Sequence, residues 1–272
     1  MNNSNAVSSV TRYSWSIIPN ILTLLNLVFG CLAIVSILQP GLTTTTDEGG
    51  TSLIILPQQM IWASFYIGCA AVIDFLDGFV ARLFKASSSL GIQLDSLSDV
   101  VSFGVAPGFI IYTFLRYSFS QLPDGLNIST AWLLPAFLFP CAGAYRLARF
   151  NIDTEQSQGF KGVPIPAAGL LIASFPLIYF FINRSFVFAL FLNQWFWYAV
   201  ILIVSYLMIS TLPMLALKFK NVSVKSLLPF IIVAVLTLIT ALIGGWLAVP
   251  VAFIAYVILS LIFKPSTLHH HV

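Results

Sequence analysis

Four of the nine acidic residues of this chain lie between positions 74 and 99, in Asp74-Phe-Leu-Asp77-Gly78-Phe-Val-Ala81-Arg82 followed by Gly91, Asp95 and Asp99. On a helix Asp74 and Asp77 are neighbours at i,i+3, and Asp95 and Asp99 at i,i+4, so two helices can converge on one cluster of carboxylates. Clustered acids in an apolar setting need a positive partner, because an unpaired buried charge costs several kcal/mol. Oxygen ligands with no histidine nearby suit a hard divalent cation such as magnesium, manganese or calcium. Gly78 and Ala81 share the helical face of Asp74 and Asp77. Their small side chains let a ligand approach the backbone, or let a neighbouring helix pack closely. Arg82 could pair with a phosphate or snorkel to the membrane surface; Lys85 reads as a surface anchor.

These acids sit in a chain of 272 residues that is 59% hydrophobic and 8% charged. Soluble domains carry about 25% charged residues, so the composition is that of an integral membrane protein. The net charge of +3, with cations spread through loops, argues against nucleic-acid binding. Cys31, Cys69 and Cys141 stand alone in apolar segments and read as small buried hydrophobes. The histidines are confined to the run His269–His271, a native tail or an appended one, so any general base in the body of the chain is a different residue.

The expected architecture is all-α and polytopic, with about eight transmembrane helices. Residues 1–16 are polar and read as a short cytoplasmic lead-in. The first apolar run, about 17–39, is too long for a signal-peptide core and has no cleavage site after it. Residues 40–57 read as a polar loop. Helices are expected at about 59–84, 92–116, 131–150, 164–183 and 195–217. Two closing helices follow at about 226–243 and 246–263, on either side of Gly244-Gly245. Lysine and arginine placement then sets the orientation. With the N-terminus cytoplasmic, that side collects Arg12, Arg82, Lys85, Arg146, Arg149, Lys161, Lys218, Lys220, Lys225 and Lys264, and the other only Arg116 and Arg184. Asp47 and Glu48 fall outside, and the C-terminus returns to the cytoplasm. Asp74 lies about 12 Å along the helix axis from Arg82. The acids therefore form a shallow site open to the cytoplasm, where a polar substrate could meet a lipid.

The spacing D-x2-D-G-x2-A-R-x8-G-x3-D-x3-D resembles the CDP-alcohol phosphotransferases at every fixed position. At roughly 7% background per position, a chance match has odds of about 10⁻⁹ per start. The resemblance covers about residues 17–217. It implies a six-helix catalytic core over 17–217 and leaves 218–272 as two additional helices and a tail, given no role beyond packing. It further implies that Asp74, Asp77 and Asp95 hold divalent metal, Mg2+ or Mn2+ and a pair of ions, against the diphosphate of CDP-diacylglycerol. Gly78, Ala81, Arg82 and Gly91 would seat the nucleotide lipid, and Asp99 would be the general base or a further metal ligand. The division of labour is physically reasonable, since phosphoryl transfer needs neutralised phosphate oxygens and a positioned nucleophile. Pro19-Asn20-Ile-Leu-Thr23-Leu-Leu-Asn26 resembles the family's P-N-x-x-T-x-x-N start. There Asn20, Thr23 and Asn26 would face the nucleotide lipid, with helix capping and inter-helix bonding as the plainer reading.

Arg146-Leu-Ala-Arg149-Phe150-Asn151 and Phe160-Lys161-Gly162-Val-Pro164-Ile-Pro166 resemble the branch of the family that uses serine as the acceptor. Arg146, Arg149, Asn151 and Lys161 would then hold the acceptor, although each cation also satisfies positive-inside placement, and a phosphate-bearing acceptor would want the same groups. The expected activity is transfer of a phosphatidyl group to L-serine with release of CMP. Glycerol 3-phosphate, inositol phosphate and inositol are alternative acceptors. A cation- or proton-coupled transporter is the alternative class, because intramembrane acids often mark ion paths. The acids crowd one end, however, and no inverted repeat of broken helices is evident. The resemblance implies a homodimer. The compact chain and short loops point to a bacterial inner membrane, with the endoplasmic reticulum as the alternative.

Overall fold

The computed structural model describes residues 17–39, 43–46, 52–84, 88–152, 160–215 and 224–263. Outside the described residues lie the 1–16 segment, Asp47 and Glu48, Lys85, Lys218, Lys220, Lys264 and the histidine run. The Lys225 side chain is also outside them.

The chain is built from helices α1 (Ile17–Leu38), α2 (Met60–Leu83), α3 (Ser89–Asp99), α4 (Ala106–Ser120), α5 (Leu138–Ile152), α6 (Ile165–Phe181), α7 (Ser185–Phe191), α8 (Gln194–Ile209), α9 (Val224–Gly244) and α10 (Ala248–Ile262). Two small hairpins join them, β1 (Thr43–Thr46) with β2 (Ser52–Ile55), and β3 (Phe160–Lys161) with β4 (Pro213–Met214), both antiparallel. Among the described residues, five helical segments are long and apolar enough to cross a membrane, or six if α7 and α8, bent by 72°, form one span. α6 is a shorter apolar helix, and Leu227–Ile262 enters as one segment although it folds into α9 and α10, which pack on each other.

Several expected boundaries move for identifiable reasons. The loop expected over 40–57 contains the β1–β2 hairpin, paired from Thr43 with Ile55 to Thr46 with Ser52. Threonine and isoleucine favour extended backbone, a preference that the loop's polarity hides. The helix expected from 131 begins at Leu138, preceded by 3-10 turns at Thr130–Trp132 and Leu134–Phe137. Pro135 sits in the second of these and withholds an N–H. The helix expected to reach 217 stops at Ile209, and the chain is extended by Pro213. Helices tend to end before proline, and tertiary partners take the carbonyls that are freed.

Between α3 and α4 the backbone winds as a π-helix over Val100–Val105, so the expected 92–116 helix is not regular. Ala106 N–H donates to the Val101 carbonyl, five residues back. Pro107, in the first turn of α4, has no N–H to restore the four-residue register against Phe103. Single π turns of this kind are frequent at functional sites.

The core lies among α4, α5, α6 and α8. Phe103, Phe114, Phe139, Ile165, Ile172, Trp197 and Ile201 are completely buried. Phe114 stacks on Trp197 with ring centroids 4.6 Å apart, and Trp197 Nε1 donates to the Phe191 carbonyl at 2.9 Å. Tyr117 and Tyr179 pair their hydroxyls at 2.9 Å. In lipid such packing and hydrogen bonding must hold helices together, because there is no water to expel from between them. Cys31 and Cys141 are exposed and Cys69 is half-buried, contrary to the expected burial. A membrane helix is apolar on its lipid side too, so an apolar neighbourhood does not distinguish core from periphery. An apolar cavity of about 680 Å3 lies between α2 and α6 and reaches Trp246 and Val249, on the stripe of α2 that carries Ile61, Gly68 and Val72.

Candidate functional site

The site forms where α1, α2 and α3 meet. α1 packs along α2 and also touches α3 and the π-helical turn. The first turn of α3 is fixed by Ser88, whose Oγ accepts from Gly91 N at 3.0 Å, a cap of about 1 kcal/mol. Close approach favours glycine at position 91. A Cβ there would lie 3.0 Å from Asn20 Oδ1 and 3.1 Å from Ser88 Oγ. The missing side chain brings the start of α3 against α1, and from that contact α3 carries Asp95 and Asp99 toward α2.

The result is a triad. Asp74 from α2 and Asp95 and Asp99 from α3 each offer a carboxylate oxygen, with all three oxygens within 4.8 Å of one another. Asp99 is buried and the other two are half-buried. Asn26 Nδ2 donates to Asp99 Oδ1 at 3.3 Å. Ser102 Oγ, in the π-helical turn, donates to the Asn26 carbonyl at 3.0 Å. Asn26 Oδ1 is buried without a partner, an unspent acceptor beside the acids. Asp77 stands next to the triad, not in it. Thr23 Oγ1 lies 2.8 Å from Asp77 Oδ2 and 3.0 Å from the Pro19 carbonyl, sharing one proton between them. Asp77 is nevertheless close enough to Asp95 to feel its charge.

The donor set fits a divalent ion. It is all oxygen, it comes from two helices, and the charge it concentrates in an apolar setting calls for a hard cation. The triad could therefore hold a metal.

On the same side of α2, a Cβ at Gly78 would meet only Arg82 Nη2, at 4.0 Å, so the space above Gly78 is open. Ala81 is half-buried and Arg82 exposed at the end of the helix. The four residues expected to hold the acceptor diverge. Arg146 is buried at 5% exposure, its guanidinium 6.0 Å from the Phe150 ring centroid and its Nε without a hydrogen-bond partner. It lies within electrostatic reach of Asp99. Arg149 is spent elsewhere: Nη1 donates to the Ile209 carbonyl at 2.7 Å and Nη2 to the Ser210 carbonyl at 3.0 Å. Asn151 Nδ2 donates to Ser96 Oγ at 2.9 Å and ties the end of α5 to α3. Lys161 is exposed in β3, opposite Pro213 of β4. Gly162 follows with φ +75°, a conformation open to glycine, and its N–H donates to the Leu212 carbonyl at 2.9 Å.

Ser88, Ser96 and Ser102 serve this site without having been singled out in the sequence. Isolated serines carry little signal in a sequence.

A bundle of apolar helices that converges three carboxylates beside the open face at Gly78 has the build of an integral membrane protein with a candidate cation site. The chain matches the family model described as CDP-alcohol phosphatidyltransferase over residues 16–195, and it belongs to that family. It is similar to the CDP-diacylglycerol–serine O-phosphatidyltransferase of Helicobacter pylori, 44% identical over 116 residues, 42% of this chain and 45% of the relative. The Bacillus subtilis protein of the same description is 32% identical over 160 residues, 58% of this chain and 75% of the relative. The archaetidylserine synthase of Methanothermobacter thermautotrophicus is 40% identical over 118 residues, 43% of this chain and 46% of the relative. The chain thus spans about half the length of the first of these relatives.

Proposed function

We propose that the chain transfers the phosphatidyl group of CDP-diacylglycerol to the hydroxyl of L-serine, giving phosphatidylserine and CMP. The observation that carries this is the Asp74–Asp95–Asp99 triad within a family-matching segment, joined to the serine-transferring descriptions of the relatives. The catalytic core is taken as residues 17–217, in a homodimer, with the site facing the cytoplasm of a bacterial inner membrane.

Divalent ions, Mg2+ or Mn2+, held by Asp74, Asp95 and Asp99 with Asp77 alongside, would when bound neutralise the diphosphate oxygens. The open face at Gly78 and Ala81 receives the nucleotide lipid close to the α2 backbone, and Arg82 meets its phosphates from the helix end. Asn20, Thr23 and Asn26 line the opposite wall on α1, and Gly91 allows that wall to close on α3. Asn26 holds Asp99 Oδ1, which leaves Oδ2 to accept the serine hydroxyl proton. The hydroxyl oxygen attacks the phosphorus that carries diacylglycerol. The bond from that phosphorus to the bridging oxygen breaks, and CMP leaves with the electron pair. Arg146, buried and with Nε free to donate, grips the serine carboxylate near Asp99. Arg149 braces the end of α8, Asn151 ties α5 to α3, and Lys161 stands in β3.

The test is CMP release from CDP-diacylglycerol by purified protein in detergent, offered serine, glycerol 3-phosphate, inositol phosphate and inositol in parallel. Each is run with magnesium, manganese or chelator, and Asp95→Asn serves as the blank. Release with serine alone, lost with chelator and in the variant, is expected. Release with another acceptor would keep the chemistry and discard serine; none with any acceptor would discard the enzyme reading.

A further inference from the structure

The apolar cavity between α2 and α6 starts at the candidate site. Ile73, the residue before Asp74, is one of its walls, and Phe29, three residues after Asn26 on α1, is another. From there two stripes line it. Ile61, Phe65, Gly68 and Val72 come from α2, and Leu170, Ser174, Leu177 and Phe181 from α6. Each set recurs at steps of four, three and four residues, which is one face of a helix. The Leu170 end is the one beside the site, since a Cβ at Gly169 would lie 2.8 Å from the Phe103 carbonyl oxygen in the π-helical turn. From Ile73 back to Ile61 is about 18 Å of helix, a little more than half the ~30 Å hydrocarbon core of a bilayer. That is the reach of one acyl chain in one leaflet.

The chemistry of the walls suits hydrocarbon as well. Ser64 Oγ donates to the Met60 carbonyl at 3.2 Å and Ser174 Oγ to the Leu171 carbonyl at 2.6 Å, so both serines spend their protons within their own helices. The volume of about 680 Å3 is in the range of small-ligand sites. Trp246, in the turn between α9 and α10, and Val249, in the first turn of α10, complete the lining from beyond residues 16–195, the segment that matches the family. Near its other end α10 bonds to Leu215, next to β4, and the partner strand β3 leads into α6. The start of α10, with Trp246, therefore lies toward the Phe181 end of α6, away from the acids. We propose that one acyl chain of the CDP-linked lipid lies in this cavity and that Trp246 closes its end, so that the C-terminal helix pair sets the chain length accepted. This rests on the phosphatidyl transfer proposed above. The walls at Ile73 and Phe29 turn the headgroup end of the chain toward the acids.

The experiment is initial-rate CMP release by the full chain from CDP-diacylglycerols carrying hexanoyl, hexadecanoyl or eicosanoyl chains, with a Tm for every variant. A Cβ at Gly68 meets nothing within 4 Å, so Gly68→Phe puts a ring into the cavity about 7.5 Å along α2 from Ile73. It is expected to raise the KM for the hexadecanoyl lipid about tenfold and to leave the KM values for the hexanoyl lipid and for serine within about twofold. Trp246→Ala should open the far end and raise kcat/KM for the eicosanoyl lipid about tenfold relative to the hexadecanoyl one. Unchanged chain-length preference in both variants overturns the proposal, and so does a loss in folded Gly68→Phe that is equal for all three lipids. An effect of Gly68→Phe alone keeps the chain in the cavity and overturns Trp246 as its stop. If Gly68→Phe does not fold, Trp246→Ala decides, and an unchanged preference there overturns the proposal. A wild type that releases no CMP from any of these lipids overturns phosphatidyl transfer first and this role with it.

Discussion

Asp99 occupies two positions at once: it completes the triad, and it accepts a hydrogen bond from Asn26 of α1. If its task is to take the acceptor's proton, Asp99→Asn removes the basic oxygen and keeps the shape. Turnover should then fall by about 10²–10⁴-fold, the usual span of general-base catalysis. Metal and CDP-lipid affinity, measured by titration on the same protein, should hold. A collapse of metal affinity would make Asp99 a ligand above all. Gly91 offers a second residue-scale test. In Gly91→Ala the new Cβ at 3.0 Å from Asn20 Oδ1 must push that side chain aside, costing about 1 kcal/mol, the low end of overpacking. A slightly lowered Tm with a raised KM for CDP-diacylglycerol is expected. A raised KM for serine alone would contradict the place given to Asn20.

At the scale of elements, two arginines one turn apart on α5 have come to different ends. Arg149 donates to two carbonyls freed where α8 stops, whereas Arg146 turns into the protein and is buried. Hydrogen bonds from a charged donor contribute about 1.5–3 kcal/mol each. Arg149→Met should therefore lower the Tm by several degrees and change the serine KM less than Arg146→Gln does. Thermal unfolding and kinetics on the two variants check the order, and the reverse order would return Arg149 to the acceptor pocket. Their spacing showed that both lie on one face. It could not show that α8 ends at Ile209 and leaves carbonyls within reach of one of them. The π-helical turn was hidden in the same way, because Val100–Val105 has an unremarkable apolar composition and only Pro107 marks the break.

For the whole molecule, orientation is the property most open to a direct test. Lys161 lies in β3, paired with Pro213 of β4, and positive-inside placement puts it in the cytoplasm. With Cys31, Cys69 and Cys141 replaced by serine, Lys161→Cys should react with a membrane-impermeant maleimide in inside-out vesicles and resist it in intact cells. Labelling from the outer face would invert the topology and detach the site from cytoplasmic serine.

The sequence by itself determined the membrane class, the four acids in register, the P-N-x-x-T-x-x-N start and the family. All of these depend on local spacing or bulk composition, which survive without a fold. Only the tertiary structure decided which three acids converge, because Asp77 and Asp74 share a helix face yet meet different partners across it. Asn26 and Asp99 likewise meet only through the packing of α1 against α3. The same holds for the exposed cysteines. In a lipid-embedded bundle the lipid side and the core side of a helix are both apolar, so hydrophobic pattern loses the directional information it carries in water. Which faces meet is then fixed by close approach at small residues such as Gly91 and by a few polar bonds between distant parts of the chain.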